Sequence, residues 1–128
     1  MRIFDTQDAM TALWQIVAPL AQEIPIYKQV MDEDENSVPE SYLIIRTDIY
    51  DDAEVYGDGH TELRKNGGDI ILVSKSTGTR SDDIHNLNRV KVKKLLDEAD
   101  MAYTGINLGY DSALKQSEYT WSVTLIYG

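Results

Sequence analysis

The chain contains no cysteine. That excludes a disulfide scaffold, a zinc ribbon, an iron–sulfur cluster and a thiol nucleophile. Histidine occurs only twice, as His60 and His85, so a metal site needs carboxylates to converge on one of them. No apolar run approaches the roughly 20 residues that a membrane-spanning helix requires. The opening Met1-Arg2-Ile3-Phe4-Asp5 has one base and no apolar stretch, and a secretory signal is not expected there. Also missing are the GxSxG elbow of serine hydrolases and the GxxxxGK[ST] and GxGxxG phosphate loops. Internal repeats and low-complexity tracts are absent too. What remains is 128 residues, 42% of them hydrophobic, a length that suits one domain with its own core. The lack of cysteine fits a reducing cytoplasm.

Charge is plentiful and uneven. The formal net charge is −10. Residues 1–60 hold thirteen acids against three bases, whereas residues 61–128 hold nine of each. Such a surface repels free nucleic acid and attracts basic patches on other proteins or on further copies of the same chain. Acidic loops also keep a small protein soluble, and charge alone does not separate the two roles.

Met10, Leu13, Trp14 and Val17 recur at helical spacing. A first helix over Gln7 to Ala18 is therefore predicted, capped by Asp5 or Thr6 and stopped by Pro19. Trp14 is its expected core anchor. Ile24 to Val30 reads as a short strand, and Ser41 to Tyr50 as a longer one. In the longer strand Leu43, Ile45, Thr47 and Ile49 face the core, while Arg46 and Asp48 share the exposed face. The loop between these strands carries four consecutive acids, Asp32 to Glu35. Asp51 to Gly68, with four glycines, reads as a long irregular loop, either mobile or functional. Asp69 to Lys75 is a third strand. Ser81, followed by Asp82 and Asp83, caps a second helix whose apolar face is Ile84, Leu87, Val92 and Leu95, with Leu96 and Ala99 beside it. Lys91, Lys93 and Lys94 then fall near its C-terminal end, where the helix dipole favours cations. Met101 to Leu108 and Glu118 to Tyr127 are the last two strands, the final one placing Tyr119, Trp121, Val123, Leu125 and Tyr127 on one face. This order predicts a single α+β domain: a mixed, mainly antiparallel sheet of four to five strands with two helices packed on one face.

Chemistry is sparse. Asp58, His60 and Glu62 alternate in a glycine-rich stretch, but a solvated hairpin tip explains them better than a metal site. The segment from Asp51 to Glu62 does not fit a calcium loop, because Ala53 and Val55 stand where oxygen ligands are needed. No cofactor or metal is expected. The candidate contact residues are charged: Asp32, Glu33, Asp34, Glu35, Asp51, Asp52, Glu54 and Asp58 on the acidic side, and Arg89, Lys91, Lys93 and Lys94 on the basic side. The four bases read either as a solvated helix face or as an ion-pairing surface for the acidic loops of a neighbouring copy.

Several segments carry a family likeness: LWQIVAPLAQEIPIYKQV (Leu13–Val30), VPESYLIIRTD (Val38–Asp48), GDIILVSKS (Gly68–Ser76) and SEYTWSVTLIY (Ser117–Tyr127). With the order of elements, they resemble the tail terminator, or tail-to-head joining, proteins of long-tailed bacteriophages and prophages, also termed tail completion or minor capsid-type proteins. The resemblance implies a non-enzymatic virion protein, assembled in the host cytoplasm, that forms a ring, usually a hexamer. It implies contacts with copies of itself, with the tail tube protein and with a head connector or head-completion protein. DNA would pass through the ring without being specifically bound. Two other readings stay open on the residues alone. One is an acidic protein-binding module, a nucleic-acid mimic or inhibitor of a basic partner. The other is a small enzyme with a site near His60.

Overall fold

The alternation of the last twenty residues sets the frame of the sheet. A computed structural model describes residues 2–28, 39–48, 52–56, 61–75 and 79–128, with backbone alone at 52–56, 61–62 and 79–82. Its elements are β1 (Ile3–Phe4), α1 (Ala9–Val17), a 3-10 turn (Ala18–Leu20), β2 (Ile26–Lys28), β3 (Ser41–Thr47), β4 (Asp52–Tyr56), β5 (Thr61–Lys75), α2 (Thr79–Glu98), β6 (Tyr103–Asp111) and β7 (Gln116–Tyr127). The chain is an α+β domain with two helices and one mixed sheet. The sheet order is β1-β7-β5-β3-β2, with β4 also on β5 and β6 also on β7. The β1–β7 and β2–β3 ladders are parallel. The β3–β5, β4–β5, β5–β7 and β6–β7 ladders are antiparallel.

Register puts the expected residues on one face. Leu43 pairs with Leu72 and Ile45 with Ile70, while Ile70 pairs with Trp121 and Gly68 with Val123. All these side chains join α1 residues Ala12, Leu13, Ile16 and Val17 and α2 residues Val92 and Leu96 in one core. Both helices therefore cover the same face of the sheet. Burying a Leu, Ile or Phe side chain is worth about 1.5–3 kcal/mol, so this continuous apolar layer dominates stability. On the opposite face Arg46 Nε donates to Asp69 Oδ2 at 2.9 Å, and Ser122 Oγ donates to Asp69 Oδ1 at 2.8 Å. That chain of bonds follows the register across β3, β5 and β7. Arg46 and Asp48 are exposed there, as alternation predicts. Trp14 is partly buried and packs against the core, with Lys28 Nζ 5.4 Å from its ring centre.

Three expectations change. The stretch at about 51–68 is not a single irregular loop: β4 spans Asp52–Tyr56, and β5 begins at Thr61 and runs through both glycines. Gly67 and Gly68 are places of close approach rather than breaks. A Cβ on Gly68 would sit 3.1 Å from Leu125 Cδ1 and 3.3 Å from Leu13 Cδ2, and one on Gly67 would strike the Asp48 carboxylate. This pairing and the two-residue β1 bring the strands among the described residues to seven, against the expected four to five. The first helix starts later than predicted because Asp8, rather than Asp5 or Thr6, is its cap: Asp8 Oδ2 accepts from Thr11 N at 3.1 Å and from Thr11 Oγ1 at 2.9 Å.

The third change concerns α2. It starts at Thr79, so Ser81 lies inside it rather than at its cap. Its buried stripe is His85, Asn88, Val92 and Leu96, with Leu87 56% exposed. The last turn holds no base, so Lys91, Lys93 and Lys94 lie short of the turn where the dipole acts. The helix ends in a Schellman arrangement: Asp100 N donates to Asp97 O, and Met101 N to Leu96 O, with Asp100 at φ 56°.

Replacing Gly68 with valine tests the strand assignment. Forcing carbons against Leu13 and Leu125 is expected to cost about 1–3 kcal/mol in urea unfolding, whereas a loop glycine at this position would tolerate the change.

Candidate functional site

Two clusters of polar side chains flank α2. The first is buried. Asn88 Nδ2 donates to Ser41 Oγ at 2.8 Å, Ser41 Oγ and Ser74 Oγ are 2.9 Å apart, and Ser74 Oγ is 2.7 Å from His85 Nδ1. Asn88 can only donate through its amide nitrogen. With Ser41 then donating to Ser74, and Ser74 to His85, every hydroxyl in the chain both gives and accepts a bond. A histidine against a serine invites a catalytic reading. Here, however, Ser74 is 3% exposed, and its oxygen is shared with Ser41. The relay fastens the first half of α2 to β3 and β5, as Val92 and Leu96 fasten the second half. Sequence reading missed His85 and Asn88 because it sought apolar residues. The available signal was their spacing with Val92 and Leu96, a helical stripe whatever its polarity.

The second cluster lies on the other flank of α2. The helix packs over β5, leaving a groove of about 250 Å³ toward β7, lined by Asn86, Arg89, Val90, Lys93, Tyr119 and Trp121. Its floor is aromatic: the Tyr119 and Trp121 rings are 4.5 Å apart, tilted by 46°. Gly105, opposite Trp121 on β6, leaves room for the Tyr119 hydroxyl, which any Cβ there would strike. The Arg89 guanidinium lies 4.3 Å above the Tyr119 ring, a cation–π contact worth about 0.5–1 kcal/mol or more.

The four bases grouped by the sequence differ in their partners. Lys91 Nζ pairs with Glu23 at 3.6 Å, Lys94 Nζ approaches Glu98 at 3.9 Å, and Lys93 Nζ donates to Asp97 Oδ2 at 2.9 Å. Arg89 alone faces the groove without a carboxylate partner among the described residues. Of the acidic candidates, Asp32, Glu33, Asp34, Glu35, Asp51 and Asp58 lie outside the described residues. Asp52 and Glu54 belong to β4, where the backbone alone is described. His60 also lies outside the described residues. Among the described residues no group of histidine and carboxylate side chains is placed to hold a metal ion.

Asp97 is a small hub at the groove's end. Tyr103 Oη donates to its Oδ1 at 2.7 Å and Lys93 to its Oδ2. The Tyr103 hydroxyl first, and Lys93 second, hold the Asp97 carboxyl below the usual carboxylate range. The same contacts raise Lys93 and Tyr103. Because these groups are exposed, the energy involved is small.

Beyond the groove the β6–β7 hairpin carries Ile106, Leu108, Tyr110 and Leu114, 48%, 60%, 55% and 63% exposed. Its turn is built by Asp111 Oδ1, which accepts from Ala113 N and Leu114 N, and by Lys115 at φ 53°. Comparison of the sequence with known protein families and with curated proteins returns no match.

Two outcomes follow. Ser74→Ala breaks the middle of the buried relay and leaves its neighbours short of partners, so chemical denaturation is expected to show a loss of about 1–3 kcal/mol. Tyr103→Phe removes the main cause of the low Asp97 pKa. An NMR titration of the Asp97 side chain should then move its midpoint up toward the ordinary carboxylate value. In the native chain the hub's contribution is present above that ordinary value and is lost as pH falls through the lowered one.

Proposed function

We propose that this chain is a non-enzymatic structural protein of a long-tailed phage or prophage virion. It forms a closed ring that ends the tail tube and joins tail to head. The observation that carries the reading is the β6–β7 hairpin. Four large apolar side chains stand on one projecting element, and β6 has no neighbour beyond β7 among the described residues. Large apolar side chains left exposed together on one hairpin mark a candidate site of association. The segment resemblance supplies the kind of assembly. A ring needs two different patches on each subunit, related by a rotation that closes. The hairpin and the Arg89 groove are candidates for one side, and the acidic first half of the chain for the other. Its partners on this reading are further copies of itself, the tail tube protein and a head connector or head-completion protein. The net charge of −10 suits a lumen that lets DNA pass without holding it.

The rival reading, an acidic module that inhibits a basic partner, shares the charge but requires a monomer or dimer. Light scattering across concentration separates them. A closed species near six times the 14.5 kDa chain mass is expected, and monomer or dimer at every concentration overturns the ring. In a Leu108→Asp, Leu114→Glu double variant the ring should dissociate, while unfolding stability stays within about 0.5 kcal/mol, as for other surface changes. Charge reversal of Asp32–Glu35 should likewise disturb assembly and leave the monomer folded.

A further inference from the structure

We propose that the groove between α2 and β7 binds the acidic run Asp32–Glu35 of a second copy of this chain, with Arg89 as its anion-recognising residue. This rests on the self-assembly reading above and names the contact that would make it directional.

Four observations carry it. Arg89 is half-buried, held over the Tyr119 ring, and without a carboxylate partner among the described residues. Its guanidinium is thus already oriented, and little side-chain freedom remains to be lost on pairing. The other three bases lie beside Glu23, Asp97 and Glu98, so among the described residues Arg89 is the groove's one cation without a carboxylate neighbour. Next to it the volume of about 250 Å³ suits one or two side chains of an extended segment, with the Asn86 amide available for a further hydrogen bond and the Tyr119–Trp121 floor for an apolar neighbour. Finally, the sequence supplies one complementary element of high charge density, the unbroken run Asp-Glu-Asp-Glu at positions 32–35. Its own mutual repulsion is relieved by a cation.

The chain topology points to a second copy as the donor. The acidic run lies in sequence between β2 and β3, and these two strands form the edge of the sheet remote from β7. α2, packed over β5 and bonded to Ser41 of β3 on its near flank, stands between that edge and the groove. A donor at one edge and an acceptor toward the other form a heterologous contact, the kind that closes into rings.

The absence of cysteine makes the test direct. Asp34→Cys and Asn86→Cys chains are prepared separately, mixed and oxidised. The expected product is a disulfide-linked pair containing one chain of each kind, in several-fold excess over either homodimer. Placing Arg89→Glu on the Asn86→Cys chain should lower its yield about ten-fold, the scale of losing one interfacial charge pair, with the chain still folding cooperatively. Yield indifferent to Arg89→Glu overturns the proposal, as does a double variant that links only within one chain. Light scattering on the two single-cysteine chains with Arg89 intact keeps the two readings apart. A full-size ring without the cross-link rejects this contact and spares the assembly. A specific cross-link between chains that never exceed a dimer retains the contact and rejects the ring.

Discussion

A slip of one residue in β5 would turn Ile70 and Leu72 out of the core and bring Asp69 and Ile71 into it. Nothing else in the fold has comparable reach, because β5 pairs with β7 along nearly its whole length and with β4 and then β3 on its other side. Its register therefore fixes which side chains of β3 and β7 meet the helices. Two local contacts pin it. Gly68 admits Leu13 and Leu125 at distances that a side chain would have to push apart, and Asp69 is bonded to Arg46 on one side and Ser122 on the other. The first contact acts on the buried face and the second on the exposed one, so a slip loses both at once.

The attachment of α2 to this sheet divides by chemistry. Val92 and Leu96 are held by apolar burial, which is non-directional and tolerates small sliding. His85 and Asn88 are held by hydrogen bonds to Ser74 and Ser41, whose distances and angles fix the rotation of the helix about its axis. That rotation decides which residues look toward β7. Arg89 follows Asn88 by one position and therefore lies about 100° farther around the helix, which takes it off the buried stripe and onto the groove wall above Tyr119. The relay and the groove are thus two consequences of a single helix orientation.

The strands were legible where one face is apolar and the other is not. Leu43, Ile45, Trp121, Val123 and Leu125 sit where alternation puts them, because burial selects every second residue regardless of partner. The hairpin over Asp52 to Gly68 was not legible. Gly68 reads as a turn former in isolation, and its real role, admitting Leu13 from a distant helix, is a tertiary fact that no local pattern carries. The stripe of α2 was misread for a related reason. Leu87 is apolar yet exposed, while His85 and Asn88 are polar yet buried, because burial of a polar group depends on partners supplied by other elements. The candidate site was legible only in part. The basic cluster was visible in sequence, but only the fold separates three lysines beside carboxylates from an arginine with no carboxylate partner among the described residues.

That separation changes how the charge asymmetry of the chain acts. An acidic half and a neutral half produce a dipole that speeds and orients encounter over about a Debye length, and this effect is screened by salt. Specific association requires more: a cation already desolvated in part, fixed in direction, and bordered by surface that excludes water when covered. Lys91, Lys93 and Lys94 fail that description, since each ammonium group already lies beside a carboxylate of its own subunit. Arg89 meets it through Tyr119, whose ring holds the guanidinium without neutralising it. The aromatic floor and the apolar hairpin beside it add dehydration, which strengthens an ion pair formed there relative to one in open solvent. In the proposed assembly, long-range charge brings acidic and basic regions together, and the local chemistry around Arg89 makes one contact directional.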